Sequence, residues 1–568
     1  MRIRTRARFI LTGLVVIAAV FAVPNALAKP HPIPVQLLAI NDFHGHLQAN
    51  TPGTIRVSTT QTVPAGGAAY LAAHIKALRT ANTNTITVGA GDLIGASPLS
   101  SALFHDEPAI EAMNKIGLDV SAVGNHEFDE GYSELLRMQN GGCHPVDGCQ
   151  DGDPFPGAFF QYLAANVYYA GKNRTLLPEY WIKKVDGVSV VFIGLTLEGT
   201  PTIVTPAGVS GLQFKDEIET VNKLVTDLTR KRKLHSFVVL IHEGGQQNAP
   251  FAGGFEDINR CDNFTGAIVD IVNGLSPEVD VVVSGHTHRP YVCTIADKLV
   301  TGASSFGRVV TDIDLTIDSA SRDVTSKTAV NRIVTQDVAP DPDVDALVTK
   351  YVNLSAPIGN RVIGSITADI TRTATPAGES ALGDVVADSQ LAATAPSDFG
   401  SSVIAFMNPG GLRVDLLYSQ VSGGELPGEV TYSELFNVQP FGNSLVVKTC
   451  TGAQIDALLE QQFNNPTPGA TRFLQVSNGF TYTWDNAAPV GSKIDPSTIQ
   501  LNGVTLDPNT GYRVTMNSFL ATGGDNFTVF NQCTDALGGE IDLDAAGRYI
   551  GANSPLAPTP RDRINRVN

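Results

Sequence analysis

Several features that would place a protein in a common class are missing from this 568-residue chain. None of its six cysteines stands in a C-x-x-C spacing, which argues against a redox motif or a zinc ribbon. After residue 28, no hydrophobic run reaches the roughly 20 residues that a membrane-spanning helix needs. Positive charge is also scarce, because 39 Lys and Arg oppose 56 Asp and Glu, for a formal net charge of −17. Such an acidic protein repels nucleic acid polymers and anionic membranes, so any phosphate must be bound through metal ions or a few placed arginines.

The composition otherwise predicts a folded protein with more than one domain. Charged residues make up only 17% of the chain and hydrophobic residues 43%, which excludes wholesale disorder. A chain of 568 residues is too long for a single hydrophobic core, so two or more domains are expected.

The first 28 residues differ from the rest of the chain. Four arginines lie within residues 1–8, an apolar segment runs from Phe9 to Val23, and Ala26-Leu27-Ala28 forms a small-x-small cleavage site. This pattern predicts a secretory signal peptide cleaved near Ala28 rather than a retained membrane anchor. The mature chain, with a formal net charge of −21 once the four arginines are removed, is then expected to be secreted or to lie in the periplasm or cell envelope.

Export makes disulfide bonds an expectation for the six cysteines. Cys143 and Cys149 share a loop rich in Gly and Asp, and we predict that they pair locally. The connectivity of the other four does not follow from the sequence; they are Cys261, Cys293, Cys450 and Cys533.

From Pro34 to about Thr316, apolar strands alternate with helical segments. The strands are almost continuously apolar, which indicates a sheet that is buried on both faces in a layered α/β domain. The predicted strands are residues 35–40, 85–88, 120–123, 188–193, 237–241 and 279–283, and the predicted helices are 66–80, 109–116, 132–137 and 214–233. Near Pro340 the composition shifts, and a short helix over 344–351, capped by Asp343, is interpreted as a linker. The remainder, about 362–567, is predicted to be a second domain with helices at 382–392 and near 453–463.

Five of the apolar strands end on Asp, Asn or His. Taken singly, each such residue is also explained as a turn, a helix cap or a core histidine. Together they supply oxygen and nitrogen ligands without sulfur, at the strand ends where an open α/β sheet places its chemistry. That ligand set suits divalent ions such as zinc, manganese or magnesium, and seven candidates are enough for two ions. The candidates are Asp42, His44, Asp92, Asn125, His242, His286 and His288, with Asp92 placed to bridge.

These strand ends resemble the calcineurin-like metallophosphoesterase pattern. The matching segments are Asp42-x-His44, Gly91-Asp92, Gly124-Asn125-His126-Glu127, His242 and Gly285-His286-Thr287-His288. With the continuation Phe128-Asp129 and the downstream domain, the chain is similar to the secreted 5′-nucleotidase and 2′,3′-cyclic phosphodiesterase family. The resemblance implies an α/β fold, with a four-layer α/β/β/α metallophosphoesterase domain followed by a smaller α+β substrate-binding domain. The corresponding division is a signal peptide at 1–28, the first domain at 29–338, a linker helix at 339–361 and the second domain at 362–568.

The resemblance also implies a cofactor of two divalent ions, which could be zinc, manganese, magnesium or cobalt. One ion would be held by Asp42, His44, Asp92 and His288, and the other by Asp92, Asn125, His242 and His286. His126 would not bind metal. It would stabilise the transition state or protonate the leaving oxygen, with Asp129 orienting it. Asp129 is equally suited to cap the helix that follows.

Three Gly-rich segments of the second domain resemble the nucleotidase substrate-binding domain. They begin at Asn408, Gln439 and Phe519. A Phe on a Gly-rich loop can stack on a planar base, although each Phe taken alone is also explained as a core residue. The resemblance implies that Phe441 and Phe519 stack on the base, and that Asp525 contacts the base or ribose. It further implies that Asn408 and Arg413 contact the ribose or phosphate, with Arg372 as a further phosphate-binding residue.

The sequence therefore predicts a metal-dependent hydrolase that removes the 5′-phosphate from nucleoside monophosphates by direct attack of water. Its partner would be a small nucleotide rather than a nucleic acid polymer. A nucleoside 2′,3′-cyclic phosphate or a UDP-sugar is the alternative substrate. A non-catalytic secreted binding protein would be expected to lack metal ligands, and none of the seven is missing.

Overall fold

The structure is a computed structural model that describes residues 30–50, 53–58, 61–204, 207–247 and 257–568. The predicted signal peptide, residues 1–28, lies outside the described residues. Within the described ranges, no helix combines the length and the apolar character needed to cross a membrane.

Two six-stranded sheets form the centre of the N-terminal half. The strands of the first sheet, in spatial order, are Val324–Ile333, Val309–Asp318, Pro32–Ile40, Thr85–Ala90, Val120–Ala122 and Gln161–Leu163. Those of the second are Pro290–Ile295, Lys298–Ala303, Val279–Ser284, Ser236–His242, Val188–Thr196 and Tyr180–Val185. The central strands of each sheet are parallel, so their carboxyl ends meet at one edge.

Successive side chains along the central strands point to opposite faces of the sheet, and this alternation explains the layers. In Pro32–Ile40, Leu37 and Ala39 join a core made of residues from both sheets, whereas Leu38 and Ile40 pack against helices. The second sheet repeats this pattern, and both faces of each sheet are therefore apolar, as the continuous strand pattern predicts. The helices Ala68–Ala81, Glu107–Ile116 and Tyr132–Asn140 cover the first sheet, and Glu217–Arg232 and Ala267–Gly274 cover the second. The predicted four-layer α/β/β/α fold is confirmed.

A long helix, Pro342–Gly359, connects the two halves of the chain. It begins where the Asp341 side chain accepts a hydrogen bond from the Val344 amide, and it continues eight residues beyond the predicted end at residue 351. The reason is its buried face, because Val344, Leu347, Tyr351, Ser355 and Gly359 recur every three or four residues. This packing carries the helix past Pro357, where local preference alone favours an end.

The C-terminal half is a smaller α+β unit, as predicted. A five-stranded sheet has the order Gln475–Val476, Ile404–Met407, Gly511–Asn517, Ser444–Thr451 and Thr534–Ile541. A four-stranded sheet has the order Val504–Thr505, Gln500–Leu501, Phe480–Asp485 and Ile564–Val567. The helices are Ala381–Thr394, Tyr432–Val438, Gly452–Glu460, Ser518–Ala521 and Asp542–Ala552. Thr451 and Gln454 form a reciprocal capping box at the third of these helices, which fixes where it begins.

Shorter elements and disulfide bonds complete the fold. The described part contains three disulfides, Cys143–Cys149, Cys261–Cys293 and Cys450–Cys533, so the predicted local pair is present. A further short α-helix is Leu99–Ala102. The two-stranded pairs are Thr54–Arg56 with Thr62–Pro64, Val167–Tyr169 with Leu212–Phe214, Gln246–Gln247 with Phe264–Thr265, and Val362–Ser365 with Glu429–Thr431.

Candidate metal centre and substrate cleft

The seven predicted ligand residues come together at the carboxyl ends of the parallel strands. The ligand atoms of Asp42, His44 and His288 lie within 4.8 Å of one another, and so do those of a second group. That second group is Asp92, His242 and His286, and the Asn125 amide oxygen lies 3.0 Å from Nδ1 of His286. Strands of both sheets contribute. Asp42 and Asp92 follow strands of the first sheet, whereas His242 ends one strand of the second sheet and His286 follows another.

The hydrogen bonds of two histidines test whether the cluster suits a cation. Nδ1 of His44 is 2.8 Å from the Gly95 carbonyl oxygen, and Nδ1 of His242 is 2.7 Å from that of Ala90. A carbonyl only accepts, so each Nδ1 donates its proton and the neutral ring presents a lone pair at Nε2. Nε2 of His242 is buried without a hydrogen-bond partner, yet it lies 2.9 Å from Oδ2 of Asp92. A lone pair on Nε2 facing a carboxylate oxygen fits a divalent ion bound between the two atoms. In addition, metal-bound histidines typically donate a hydrogen bond from their other ring nitrogen to a backbone carbonyl, as Nδ1 does in both of these residues.

The charges in the cluster favour the ligand forms of Asp92, His44 and His286. Burial opposes ionisation of Asp92, but His242, His126 and His44 hold the pKa of this carboxyl well below its usual range. Burial lowers the pKa of His286 to about 3 and places that of His44 well below its ordinary value, so both imidazoles are neutral. Against the effect of burial, Asp92 raises the pKa of His242 to about 10, so the carboxylate beside Nε2 favours a positive charge there, either a proton on the ring or a cation bound to the neutral ring.

Five of the predicted ligand residues adopt left-handed backbone conformations. Their φ angles are 49° at Asp42, 48° at His44, 50° at Asp92, 70° at His286 and 57° at His288. Non-glycine residues with positive φ cost roughly 1–2 kcal/mol each, and they concentrate where function requires a sharp change of chain direction. Here these turns redirect the chain directly after each strand, so that side chains from different strands converge.

Glu127 and Gly124 hold the loops of the cluster together. The Glu127 carboxylate accepts hydrogen bonds from the backbone amides of Asp92, Leu93 and Gly124, which joins two strand ends. A Cβ at Gly124 would lie only 2.1 Å from Oδ1 of Asp92, so this approach requires glycine. The sequence pattern contains Glu127, but its role in joining these loops follows only from the structure.

His126 lies beside the cluster and is held by Asp129. Nδ1 of His126 is 2.7 Å from Oδ2 of Asp129. Burial lowers the pKa of His126, but Asp129 and Asp92 outweigh this effect and raise it above the usual value. The helix after Asp129 begins at Tyr132 and its cap is Gly131, so Asp129 does not cap it.

One cavity joins this cluster to the second domain. It encloses about 200 Å³ between the two halves of the chain. Asn125, His126, Asp129 and His286 line one end of it, and Asn408, Arg413, Phe441, Phe519 and Asp525 line the other. The Phe441 ring stacks on the His126 imidazole, with 5.8 Å between the ring centroids and 19° between the planes. The metal-type cluster and the predicted base-binding residues therefore open into the same space.

Comparison with known proteins agrees with this arrangement. The sequence model described as calcineurin-like phosphoesterase matches residues 35–290, and that of the 5′-nucleotidase C-terminal domain matches residues 362–532. The cell wall protein Lmo0130 of Listeria monocytogenes is 30% identical over 574 residues, which covers 96% of this chain and 71% of that protein. The chain belongs to the 5′-nucleotidase family. It is accordingly a phosphoester hydrolase of the metallophosphoesterase type, and that fold implies divalent metal ions.

Two other proteins show how the family varies. The endonuclease YhcR of Bacillus subtilis is 32% identical over 537 residues, but these cover 94% of this chain and only 41% of YhcR. The chain thus spans less than half the length of that relative. The crystal structure of a 5′-nucleotidase precursor from Thermus thermophilus superposes with a TM-score of 0.76 at 25% identity, covering 94% of this chain and 100% of that one.

In this 5′-nucleotidase-family chain, the polar end of the cavity is organised around Asp525. Its two carboxylate oxygens accept hydrogen bonds from Arg472, at 2.7 Å, and from the Asn408 side chain, at 2.8 Å. Arg413 differs from Arg472 because, among the described residues, its guanidinium forms no ion pair. Burial lowers the pKa of Arg413. A partly buried guanidinium that lines a cavity is suited to an anionic group such as phosphate.

The structure adds four residues to the predicted lining of the cavity and places one predicted residue, Arg372, outside it. Ile203 and Val204 of the first domain line the cavity, as do Arg472 and Asn517 of the second. Nothing in the sequence marks Ile203, Val204 or Arg472, whereas Asn517 lies two residues before Phe519 and caps the helix Ser518–Ala521. Arg372 does not line this cavity. It lies beside a neighbouring one, with Nε 3.1 Å from Asp415 Oδ1, so its phosphate-binding role stays a prediction.

Proposed function

We propose that this chain is an exported two-metal phosphohydrolase that removes the 5′-phosphate from nucleoside monophosphates. The observation that carries the proposal is the single cavity lined both by His126, beside the metal-type ligands, and by the aromatic residues Phe441 and Phe519. A nucleotide has an anionic end and a planar end, and the cavity offers complementary groups at its two ends.

The residues of the cluster are assigned by their grouping. Asp42, His44, Asp92 and His288 would hold one ion, and Asp92, Asn125, His242 and His286 would hold the other. When bound, such a pair of ions neutralises phosphate oxygens and lowers the pKa of the attacking water.

The protein's own groups account for the remaining steps. Arg413 would bind the phosphate, and Asn408 and Asp525 would position the ribose or base between Phe441 and Phe519. Water attacks phosphorus as the bond from phosphorus to the 5′-oxygen breaks, and His126 donates its proton to that oxygen. Asp129 favours the protonated imidazole, in keeping with the raised pKa of His126.

A second candidate function is hydrolysis of a phosphodiester. It is favoured by the relative described as an endonuclease, although that protein is more than twice as long as the matched region. The same residues would serve, with a nucleoside 2′,3′-cyclic phosphate or a UDP-sugar as the substrate. The acidic net charge makes a long nucleic acid polymer the least favoured substrate.

The test is a substrate panel on the purified mature chain, after chelation and after reloading with zinc, manganese, magnesium or cobalt. The products formed from AMP, UMP, 2′,3′-cyclic AMP, UDP-glucose and single-stranded DNA are separated and quantified by chromatography, because hydrolysis of the diesters and of UDP-glucose gives phosphomonoesters rather than free phosphate. We expect metal-dependent release from the monophosphates with the highest kcat/KM. Activity confined to the diesters would replace the first proposal by the second, and no metal-dependent hydrolysis of any substrate would refute both.

Export and the domain division are part of the same proposal. Residues 1–28 would be removed, and residues 29–338 and 362–568 would act as two domains joined by the helical segment 339–361. N-terminal sequencing of the protein recovered outside the cytoplasm should begin near Lys29. A protein that keeps residues 1–28 and stays in the cytoplasm would contradict this.

A further inference from the structure

His288 differs from two other predicted ligands in how its imidazole is held. His44 and His242 each donate from Nδ1 to a backbone carbonyl oxygen, and both side chains are fully buried. The His288 side chain is 28% exposed, and within the described part of the chain only its Nε2 approaches a polar partner. That atom is 3.1 Å from Nε2 of His44 and 3.2 Å from Oδ1 of Asp42. Both contacts are at the end of the ring that would bind metal, so no hydrogen bond at Nδ1 fixes its rotation.

The Phe306 ring packs against the imidazole that lacks this hydrogen bond. The centroids of Phe306 and His288 are 5.2 Å apart, and the planes meet at 80° in an edge-to-face arrangement. The same ring lies 5.9 Å from His44 and 4.0 Å from His46. Aromatic pairs in such geometries attract each other beyond the effect of the area that they bury. Phe306 therefore contacts both histidines that are assigned to one of the two ions.

The backbone of Phe306 adopts a conformation that is unfavourable for an aromatic residue. Its φ angle is 61°, in the turn that follows the strand Lys298–Ala303. A bulky side chain at positive φ is a genuine outlier, and it persists only where the surrounding structure holds it. Glycine would adopt the same turn without this cost. The shape of the turn therefore does not explain why position 306 carries an aromatic ring.

Hydrogen bonds join this turn to the strand end that carries Asp42. The Phe306 amide donates to the Asp42 carbonyl oxygen at 2.7 Å. The Asn41 side chain donates to the Ser304 carbonyl oxygen and accepts from the Ala303 amide, both at 2.7 Å. The amide nitrogen of the same side chain is 2.6 Å from Oδ2 of Asp42. The position of the Phe306 ring is thus fixed relative to another predicted ligand of the same ion.

Arg308 restrains the Phe306 ring as well. Its guanidinium carbon lies 5.2 Å from the ring centroid, which is the distance of a cation–π contact. The guanidinium is itself fixed, because it donates to the carbonyl oxygen of Ser305 at 3.1 Å and to the hydroxyl of Ser305 at 2.8 Å. A ring that is restrained in this way can hold a neighbouring imidazole in one orientation.

We propose that Phe306 is a positioning residue, whose ring holds the His288 imidazole so that Nε2 is directed at the ion shared with Asp42 and His44. This role rests on the proposed function, in which two ions occupy the cleft. The ring does for His288 what carbonyl oxygens do for His44 and His242. Phe306 does not line the substrate cavity, so it affects the reaction only through the metal centre.

The test titrates the metal-free mature chain with cobalt alone. Equilibrium dialysis gives the dissociation constants of the two ions, and the visible absorption of bound cobalt reports the ligand geometry. We expect Phe306→Leu to weaken one of the two ions by about 10- to 100-fold and to change its absorption, because a group that orients a ligand is removed. Phe306→Tyr, which keeps the ring, should bind both ions as the wild type does. The control is Phe436→Leu, which removes a partly buried ring from the helix Tyr432–Val438 of the second domain and should change neither ion.

A double-variant comparison establishes whether the effect passes through His288. In a His288→Ala background, Phe306→Leu should cause no further loss of cobalt affinity, because the ring no longer has an imidazole to orient. A further loss as large as that in the wild-type background would overturn the proposal, and so would unchanged cobalt binding by Phe306→Leu. Should Phe306→Leu fail to fold, as judged by its melting curve, Phe306→Gly, which suits the positive φ, takes its place.

The same titration distinguishes this proposal from the proposed function. A wild-type chain that binds two cobalt ions, with the expected losses in the variants, but hydrolyses no substrate of the panel would refute the proposed function alone. A wild-type chain that binds no cobalt in the cleft would refute both.

Discussion

Nδ1 of His126 lies 2.7 Å from Oδ2 of Asp129, three residues further along the chain. The imidazole is thereby oriented by a carboxylate while its face stacks on Phe441 of the other domain. Its ligand atom is also within 4.8 Å of His44 and Asp92, so distance alone would allow it to bind a metal ion. The proposal that it instead transfers a proton leads to a direct test.

Replacement of His126 by alanine should leave the metal content of the cleft unchanged and lower kcat about 10²- to 10⁴-fold, because a general acid is removed. The measurements are metal stoichiometry and AMP turnover on the same preparation. Asp129→Asn, which keeps the size of the side chain but not its charge, should retain metal and lose less activity. A loss of one bound ion from His126→Ala would make His126 a ligand instead.

Asp92 is the residue that both ligand groups share in the proposed assignment. Asp92→Ala should therefore abolish metal binding in the cleft and reduce activity to background, because each ion loses a ligand and the bridging charge disappears. Asp270→Ala, in an exposed position on the helix Ala267–Gly274, serves as the control and should bind metal normally. Two cleft ions bound to Asp92→Ala with wild-type affinity would contradict the bridging role.

Phe441 and Phe519 are expected to bind the base by stacking. Replacing either by alanine should raise KM for AMP by about 5- to 100-fold, since stacking contributes roughly 1–3 kcal/mol per base. Hydrolysis of ribose 5-phosphate, which has no base, should change little. Phe399, 60% exposed and remote from the cavity lining, supplies the control Phe399→Ala. Equal losses with both substrates would mean that these rings support the fold rather than the base.

Asp384 should make the protein less stable as the pH rises. Burial, together with the nearby Glu379, raises the pKa of Asp384 from 3.8 to about 8, although Arg563 opposes this. The folded chain then holds a proton that the unfolded chain releases near pH 4, so this contribution to stability is complete below pH 4 and is lost as the pH rises to about 8.

Asp384→Asn removes that titration. Relative to the wild type, the variant should gain stability between pH 5 and pH 8.5, by an amount on the order of a few kcal/mol. Urea unfolding at the two pH values measures it. The matched change Asp388→Asn should instead destabilise the protein at both, because Asp388 accepts two hydrogen bonds from the buried Arg563 guanidinium. A pH-independent difference between Asp384→Asn and the wild type would contradict the assignment.

Much of the fold follows from local patterns that the sequence shows directly. The apolar strand at 35–40 lies within the observed strand Pro32–Ile40, and the helix predicted at 66–80 is observed at Ala68–Ala81. Boundaries were less accurate where a side chain caps the chain. The helix predicted from residue 214 begins at Glu217, because the Asp216 carboxylate accepts a hydrogen bond from the Glu219 amide.

Some residues of the candidate site are recognisable in the sequence, and others are found only in the structure. Asp, Asn and His directly after apolar strands are visible in the sequence. That the central strands are parallel, so that their carboxyl ends meet at one edge, is seen only in the structure. Ile203, Val204 and Arg472 carry no such mark, because they reach the cavity only when the two halves of the chain pack together. Arg372 donates a hydrogen bond to the Leu412 carbonyl oxygen and lines a neighbouring cavity, so its position outside the cleft also depends on the tertiary structure.

Residue type, spacing and strand periodicity predict a layered α/β domain with candidate metal ligands at its strand ends, and the motifs formed by these residues carry the family resemblance, because each of these features lies in short stretches of the chain. Distances between segments that are remote in the sequence cannot be obtained from short stretches, and only the tertiary structure determines them. Its packing paired Cys261 with Cys293 and Cys450 with Cys533, joined the metal-type cluster to Phe441 and Phe519 in one cavity, and brought Phe306 to His44 and His288. Such contacts arise when whole layers pack together, which no short stretch of sequence contains.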